Sequence, residues 1–172
     1  MGVKAAVFCA IDISPGEMKN VVDTESSVQT DQDESVIPEV RLFDIAKAKV
    51  TMINVWGTFC SPCIMEMPDL GELSREYADK DFQVIGIISD ARSADSDESK
   101  AAVDIIERTK ADYTHLLLSD SMIDSFVSEI YAIPTTIFVD STGKVLCSSI
   151  VGSNAKESWA GAVDKVLEHV AE

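Results

Sequence analysis

An apolar seven-residue segment that leads directly into an amphipathic helical pattern restricts most strongly how this chain can fold. Residues 50–56 read VTMINVW, a nearly continuous run of β-branched and apolar side chains, which is typical of a strand covered on both faces. From about Ser61 the apolar residues recur every three or four positions, which predicts a helix with one buried side. A strand that is covered on both faces needs helices above and below its sheet, so this segment indicates an α/β protein.

The same alternation continues along the rest of the chain. It predicts further strands over residues 82–88, 113–118, 135–139 and 144–151, and further helices over residues 98–108, 122–131 and 155–170. Because residues 140–143 (DSTG) are typical of a turn, the last two strands are expected to form an antiparallel hairpin. Strands that alternate with helices favour parallel pairing with right-handed crossovers. The sequence therefore predicts a mixed central β-sheet with helices on both faces.

The first 35 residues differ in composition from the rest of the chain. Residues 14–35 are rich in Asp, Glu, Ser, Thr and Gln and offer little to bury. This predicts a flexible acidic segment over residues 1–35 and one folded domain over residues 36–172. The apolar stretch 5–11 is at the lower limit for a signal-peptide core. Cys9 follows Phe8, where a lipoprotein signal needs a small residue, so we expect an extra strand or an ordinary apolar segment there.

The charge of the chain excludes two classes of partner. Thirty acidic residues stand against fourteen basic ones, which gives a formal net charge of −16. Proteins that bind nucleic acids or anionic membranes have the opposite balance. The sequence also contains no run of about 18 apolar residues that could span a membrane.

Two of the four cysteines form a C-x-x-C motif where the first predicted strand ends and a helix begins. The unpaired amides and the positive dipole end of a helix stabilise an anion at its start, and they lower the pKa of a thiol there. Cys60 is therefore predicted to attack a disulfide as a thiolate. Cys63, one turn later, is predicted to resolve the mixed disulfide and release the product.

A zinc site is the main alternative use of a C-x-x-C pair. It needs two further ligands, typically a second C-x-x-C or paired histidines. The remaining candidates are His115, His169, Cys9 and Cys147, and each is isolated in the sequence. We expect no metal here. His115 is predicted to be a structural histidine of a strand, and Cys147 a core residue on the last hairpin strand.

The segment WGTFCSPCIMEMP, residues 56–68, resembles the active-site segment of the TlpA/ResA-like thiol-disulfide oxidoreductases, the redoxin group of the thioredoxin-like proteins. Pro68 matches the proline that kinks the active-site helix in this family. Residues 133–136 (IPTT) match its cis-proline loop, and Gly152 matches the glycine after the last strand. The resemblance covers residues 40–170, where residues 90–131 match the inserted helix and strand of this group. It implies a thioredoxin fold.

The resemblance also implies the roles of several residues. It implies a reversible Cys60–Cys63 disulfide that needs no bound cofactor. Glu66 stands where this family places a glutamate that carries the proton of the second cysteine, and desolvation beside two sulfurs would raise its pKa. The alternative is that Glu66 is an acid favoured only by the helix dipole. Asn54 stands where ordinary thioredoxins have a buried aspartate, and it cannot take a proton.

A surface for an extended polypeptide substrate is implied as well, because the backbone of the residue before the cis-proline can pair in strand fashion. The residues assigned to this surface are Trp56, Phe59, Pro62, Ile133, Pro134 and Gly152. The expected partners are protein thiol and disulfide substrates and an upstream electron donor, and the expected state is a monomer. The family resemblance favours the bacterial cell envelope. Since no complete signal peptide is present, a cytoplasmic location stays open.

Two other functions are weighed against disulfide reduction. A peroxiredoxin-type thiol peroxidase has the same broad fold, but it needs Pro-x-x-x-Thr-x-x-Cys, and Gly57 stands three positions before Cys60. A copper-binding or delivery module would use the two thiols together with a histidine, and no histidine can be placed near them from the sequence. Reduction of disulfides in partner proteins is the function that the sequence favours.

Overall fold

The structure is a computed structural model, and it describes residues 45–125 and 127–171. The predicted acidic segment 1–35, the boundary that follows it and Cys9 lie outside the described residues. The strands are β1 (Val50–Trp56), β2 (Phe82–Ile88), β3 (Thr114–Leu117), β4 (Thr135–Asp140) and β5 (Ile150–Val151). The α-helices are α1 (Ser61–Glu76), α2 (Asp97–Thr109), α3 (Asp120–Ser125) and α4 (Lys156–Ala171). Short 3-10 helices cover Ile45–Lys47 and Val127–Glu129.

The five strands form one mixed sheet in the order β3–β2–β1–β4–β5. β1 pairs in parallel with β2, and β2 pairs in parallel with β3. β4 pairs antiparallel with both β1 and β5. The predicted mixed sheet is confirmed, and β1, the strand that leads into the C-x-x-C motif, lies at its centre.

Side chains of β1 alternate between two apolar layers, one on each face of the sheet. Met52 and Trp56 pack in the layer that contains buried side chains of α1, α2 and α4. Ile53 and Val55 pack in the opposite layer, against which α3 places Met122 and Ile123. The prediction of helices on both faces is therefore confirmed. Within the described part of the chain, no helix is both long and apolar enough to cross a membrane.

The helix predicted over residues 122–131 is shorter than the apolar pattern indicates. α3 ends at Ser125, and a 3-10 turn follows over Val127–Glu129. Tyr131, which the prediction placed at the helix end, is 88% exposed. The chain has to turn here because residues 133 and 134 reach the start of α1, and a helix that continued to Tyr131 would leave almost no residues for that turn.

The strand predicted over residues 144–151 is also wrong for most of its length. It pairs with β4 through an isolated bridge at Val145 and then again only in β5. The adjacent residues Leu146 and Cys147 are both buried in the same apolar layer, whereas neighbouring side chains of a regular strand point to opposite faces. The chain therefore bends at Cys147, which is buried as predicted but lies outside any strand.

Candidate active site

Cys60 lies between the end of β1 and the start of α1 and is the N-cap residue of that helix. It forms a disulfide with Cys63, and the two Cα atoms are 5.3 Å apart. The backbone N–H of Cys63 donates to Cys60 Sγ at 3.3 Å. An amide aimed at the sulfur from the first helical turn favours the thiolate when the disulfide is reduced. Cys60 thus lies at a helix start, where the sequence predicts a stabilised thiolate.

The two cysteines differ slightly in exposure. Cys63 has no exposed surface, whereas Cys60 is 6% exposed. Phe59, directly before Cys60, is 73% exposed, and Pro62 between the cysteines is also exposed. Cys60 is therefore the more exposed residue of the pair, and it lies beside exposed side chains.

The loop before β4 lies against the disulfide. Its Ile133–Pro134 peptide bond is cis, as the resemblance implied. The carbonyl oxygen of Ile133 is 3.7 Å from Cys60 Sγ. On its other side the loop is held by Gly152, whose N–H donates to the carbonyl of Pro134 at 2.8 Å. Gly152 has φ +96, a conformation that favours glycine. The Cys60, Ile133–Pro134 and Gly152 segments thus meet at one place.

A carboxylate from the end of β2 holds the loop that precedes Cys60. Asp90 accepts hydrogen bonds from the backbone N–H of Thr58 at 3.1 and 3.2 Å, and the hydroxyl of Thr58 donates to the same carboxylate. Sequence reasoning missed this residue. The signal was available, because β1 and β2 are both buried parallel strands, and polar residues just past the carboxyl ends of parallel strands meet at one edge of the sheet.

Glu66 is buried on α1, one turn after Cys63, with 3% of its surface exposed. Its Oε1 accepts from Asn54 Nδ2 at 3.1 Å. Its Oε2 accepts from the backbone N–H of Asn154 at 3.0 Å and from Trp159 Nε1 at 3.4 Å. Burial raises the pKa of Glu66 from 4.5 to about 7, although these three hydrogen bonds act to lower it. Glu66 therefore exchanges its proton near neutral pH.

The contributions of Asn154 and Trp159 to this carboxylate site could not be read from the sequence. Trp159 fits the apolar side of α4, and nothing in that pattern shows that its indole N–H points to Glu66. Asn154 donates through its backbone N–H, so the residue type at this position does not indicate a contact with Glu66. Both groups reach Glu66 only because α4 packs against α1.

Trp56 does not belong to the substrate surface that the resemblance assigned to it. It has no exposed surface, and its Nε1 donates to His115 Nδ1 at 3.2 Å. His115 Nε2 is 2.9 Å from the carbonyl of Ala111. Burial lowers the pKa of His115 to about 4, so the ring is neutral. Trp56 supports the site from inside the core, and His115 is the structural histidine that was predicted.

Within residues 45–125 and 127–171, no three His, Cys, Asp or Glu side chains lie together in a way that could hold a metal ion. His115 is on β3, whereas His169 is in the last turn of α4. The two histidines therefore do not complete a site with the C-x-x-C pair.

The known proteins that are similar in sequence to this chain are redox proteins with related names. The family model described as Redoxin matches residues 24–164. A thiol-disulfide oxidoreductase ResA of Bacillus cereus is 30% identical over 129 residues, which cover 74% of this chain and 69% of that protein. The thioredoxin-like protein YneN of Bacillus subtilis is 29% identical over 119 residues, which cover 69% of this chain and 66% of that protein.

Solved structures show the same similarity at the level of the fold. A thioredoxin-family thiol:disulfide interchange protein from Chlorobium tepidum TLS aligns with a TM-score of 0.61 at 24% identity, over 71% of this chain and 82% of that one. The thioredoxin domain of a thiol-disulfide oxidoreductase from Bacteroides vulgatus aligns with a TM-score of 0.56 at 26% identity, over 71% and 81%.

A thioredoxin fold with a disulfide between a helix N-cap and the first helical turn, together with the similarity to ResA, shows that this chain is a thiol-disulfide oxidoreductase. This chain belongs to the Redoxin family, and within it the chain is a TlpA/ResA-like protein. Its activity is the cycling of a disulfide between Cys60 and Cys63.

Proposed function

We propose that this protein reduces disulfide bonds in partner proteins, with Cys60 as the attacking residue, Cys63 as the resolving residue and Glu66 as the proton acceptor. The observation that carries the proposal is the order of the three groups along α1. One cysteine lies at the helix N-cap with a small exposed surface, the second has none, and a buried carboxylate that titrates near neutral pH follows one turn later.

The reaction has two steps. The Cys60 thiolate attacks one sulfur of the substrate disulfide, so that a Cys60–substrate bond forms, the substrate S–S bond breaks and one substrate thiolate leaves. Glu66 then takes the proton of the Cys63 thiol, and the Cys63 thiolate attacks Cys60 Sγ. The Cys60–Cys63 bond forms, the mixed disulfide breaks and the second substrate thiolate leaves. The substrate gains two electrons, and the protein is oxidised.

The surface around the disulfide fits a polypeptide substrate. The large exposed apolar side chains of the described residues lie in the segments that flank Cys60, the cis-proline loop and β5, and they are Phe59, Met65, Tyr131 and Val151. Together with the exposed Pro62 and the Ile133 backbone, they offer an apolar surface and a strand-like edge for an extended segment. An upstream dithiol protein returns the Cys60–Cys63 pair to the reduced state. Because one chain supplies all of these groups, we expect a monomer to be active.

The direction of electron flow is tested by equilibrating the full chain with glutathione redox buffers and measuring the fraction of Cys60–Cys63 disulfide by alkylation and mass spectrometry. A reductant is expected to have a reduction potential close to that of thioredoxin, about −270 mV. A potential near −120 mV, typical of a strong thiol oxidant, would contradict the proposed direction. The Cys147→Ala variant is the control that keeps the measured signal specific to the C-x-x-C pair.

A further inference from the structure

Among the described residues, the three hydrogen-bond partners of the Glu66 carboxylate are all donors. Asn154 N–H and Trp159 Nε1 both donate to Oε2, and Asn54 Nδ2 donates to Oε1. These contacts suit the ionised carboxylate. When Glu66 gains a proton, the two donors on Oε2 leave only Oε1 to carry it. The new O–H group would then face the Asn54 NH₂ group, which offers no acceptor for its proton.

A rotation of the Asn54 side-chain amide would supply the missing acceptor. Its Nδ2 lies 3.1 Å from both Glu66 Oε1 and Thr136 Oγ1. Its Oδ1 is buried and has no hydrogen-bond partner among the described residues. Because the oxygen and nitrogen of an amide are nearly equal in size, a half-turn of the amide exchanges them without a change of shape. Oδ1 would then accept from Glu66 and from the Thr136 hydroxyl, which can either donate or accept.

We propose that the Asn54 amide turns over when Glu66 gains its proton, so that Asn54 is a positioning residue that hydrogen-bonds both protonation states of Glu66. The inference rests on the proposed function, in which Glu66 takes the proton of Cys63. In the present orientation the Oδ1 end of the amide has no hydrogen-bond partner within the described part of the chain, so no hydrogen bond is lost at that end when the amide turns. The proton on Glu66 therefore selects the orientation.

Three other titratable groups lie near Glu66. Asp69, in the next turn of α1, acts to raise the pKa of Glu66. Tyr113, before β3, is buried, and its pKa is raised well above the usual range, so its hydroxyl stays neutral. Cys63 is the proton donor in the proposed reaction. Asn54 itself cannot take a proton, so the proton remains on Glu66 until it is released.

The test is a pH titration of the oxidised full chain by NMR, with isotope labels that report the Glu66 carboxyl carbon and the Asn54 NH₂ group. We expect a strong nuclear Overhauser effect between the Asn54 NH₂ protons and the Thr136 side chain when Glu66 is ionised. It should weaken severalfold as Glu66 is protonated, with the same midpoint as the carboxyl carbon. An effect that stays constant while Glu66 titrates would overturn the proposal.

The Glu66→Gln variant is the matched control. Asn154 N–H and Trp159 Nε1 hold the glutamine oxygen at the Oε2 position, so the glutamine NH₂ group faces Asn54. The Asn54 amide should then stay in the turned orientation, with the weak Overhauser effect at every pH. A strong effect at every pH in this variant would also overturn the proposal. If instead Glu66→Gln leaves the pH dependence of disulfide exchange unchanged, the proposed role of Glu66 fails, independently of how Asn54 behaves.

Discussion

Replacing Cys60 with serine is expected to abolish disulfide exchange while the protein stays folded. Cys60 is the more exposed cysteine of the C-x-x-C pair, and it lies at the N-cap of α1, where the thiolate is stabilised. A serine hydroxyl is close in size but is not a nucleophile toward disulfides at neutral pH. The rate of thiol release from a disulfide-bonded peptide should fall by at least about a thousandfold, as for the loss of other enzymatic nucleophiles.

The matched control for this variant is Cys147→Ala. Cys147 is also 6% exposed, but it lies in a bend near the sheet edge and not at a helix start. Its replacement should keep the exchange rate and lower the free energy of unfolding by about 1 kcal/mol or somewhat more through lost packing. If Cys147→Ala stopped exchange without unfolding the protein, Cys147 would be a third redox participant, and the two-cysteine cycle would be wrong.

Replacing Glu66 with glutamine should remove a pH dependence from both stability and activity. The folded protein holds the Glu66 proton up to a pKa of about 7, whereas the unfolded chain releases it near 4.5. Between these values the folded state binds more protons, so its stability decreases as the pH rises. The full difference corresponds to about 3 kcal/mol at most. Glutamine cannot ionise, so this decrease should be absent and the variant relatively more stable above pH 7.

The activity of the same variant separates a catalytic from a structural role. In the wild type, the resolution of the mixed disulfide should become faster as Glu66 ionises, with a midpoint near pH 7. Glu66→Gln should lose this rise and resolve at least about a hundredfold more slowly at alkaline pH, since a positioned general base contributes about that much or more. Stopped-flow measurement of resolution and urea unfolding across the pH range give both readouts. A variant with the wild-type rate profile would leave Glu66 without a part in proton transfer.

Much of the fold follows from local apolar patterns. β1 was predicted at the bounds that the structure shows, and α1 at the start that it shows, because a run such as VTMINVW and a helical stripe are both patterns of buried side chains. The bend at Cys147 was missed because two adjacent buried residues in an apolar run look like part of a strand. Their burial in one layer depends on the path of the chain at the sheet edge, which no local pattern encodes.

The residues of the candidate site could likewise be predicted only in part. The C-x-x-C motif and the family resemblance placed Cys60, Cys63 and the cis-proline loop together, since each is marked by its own residues. The surroundings of Glu66 depend instead on how β1 and α4 pack against α1, which brings Asn54 and Trp159 to the carboxylate. The same limit explains Trp56: its position beside the motif suggests substrate contact, and only the packed structure shows it bonded to His115 in the core.

The two-step cycle, in which Cys60 attacks and Cys63 resolves, is tested most directly by trapping the mixed disulfide. The Cys63→Ala variant, in the reduced full chain, is mixed with a disulfide-bonded peptide, and the covalent product is digested and located by mass spectrometry. The account predicts a stable bond between the peptide and Cys60 in nearly every molecule, and no trapped peptide in a Cys60→Ala variant treated in the same way. A peptide trapped on Cys63 in the Cys60→Ala protein at a comparable rate, or on Cys147 in the Cys63→Ala protein, would contradict it.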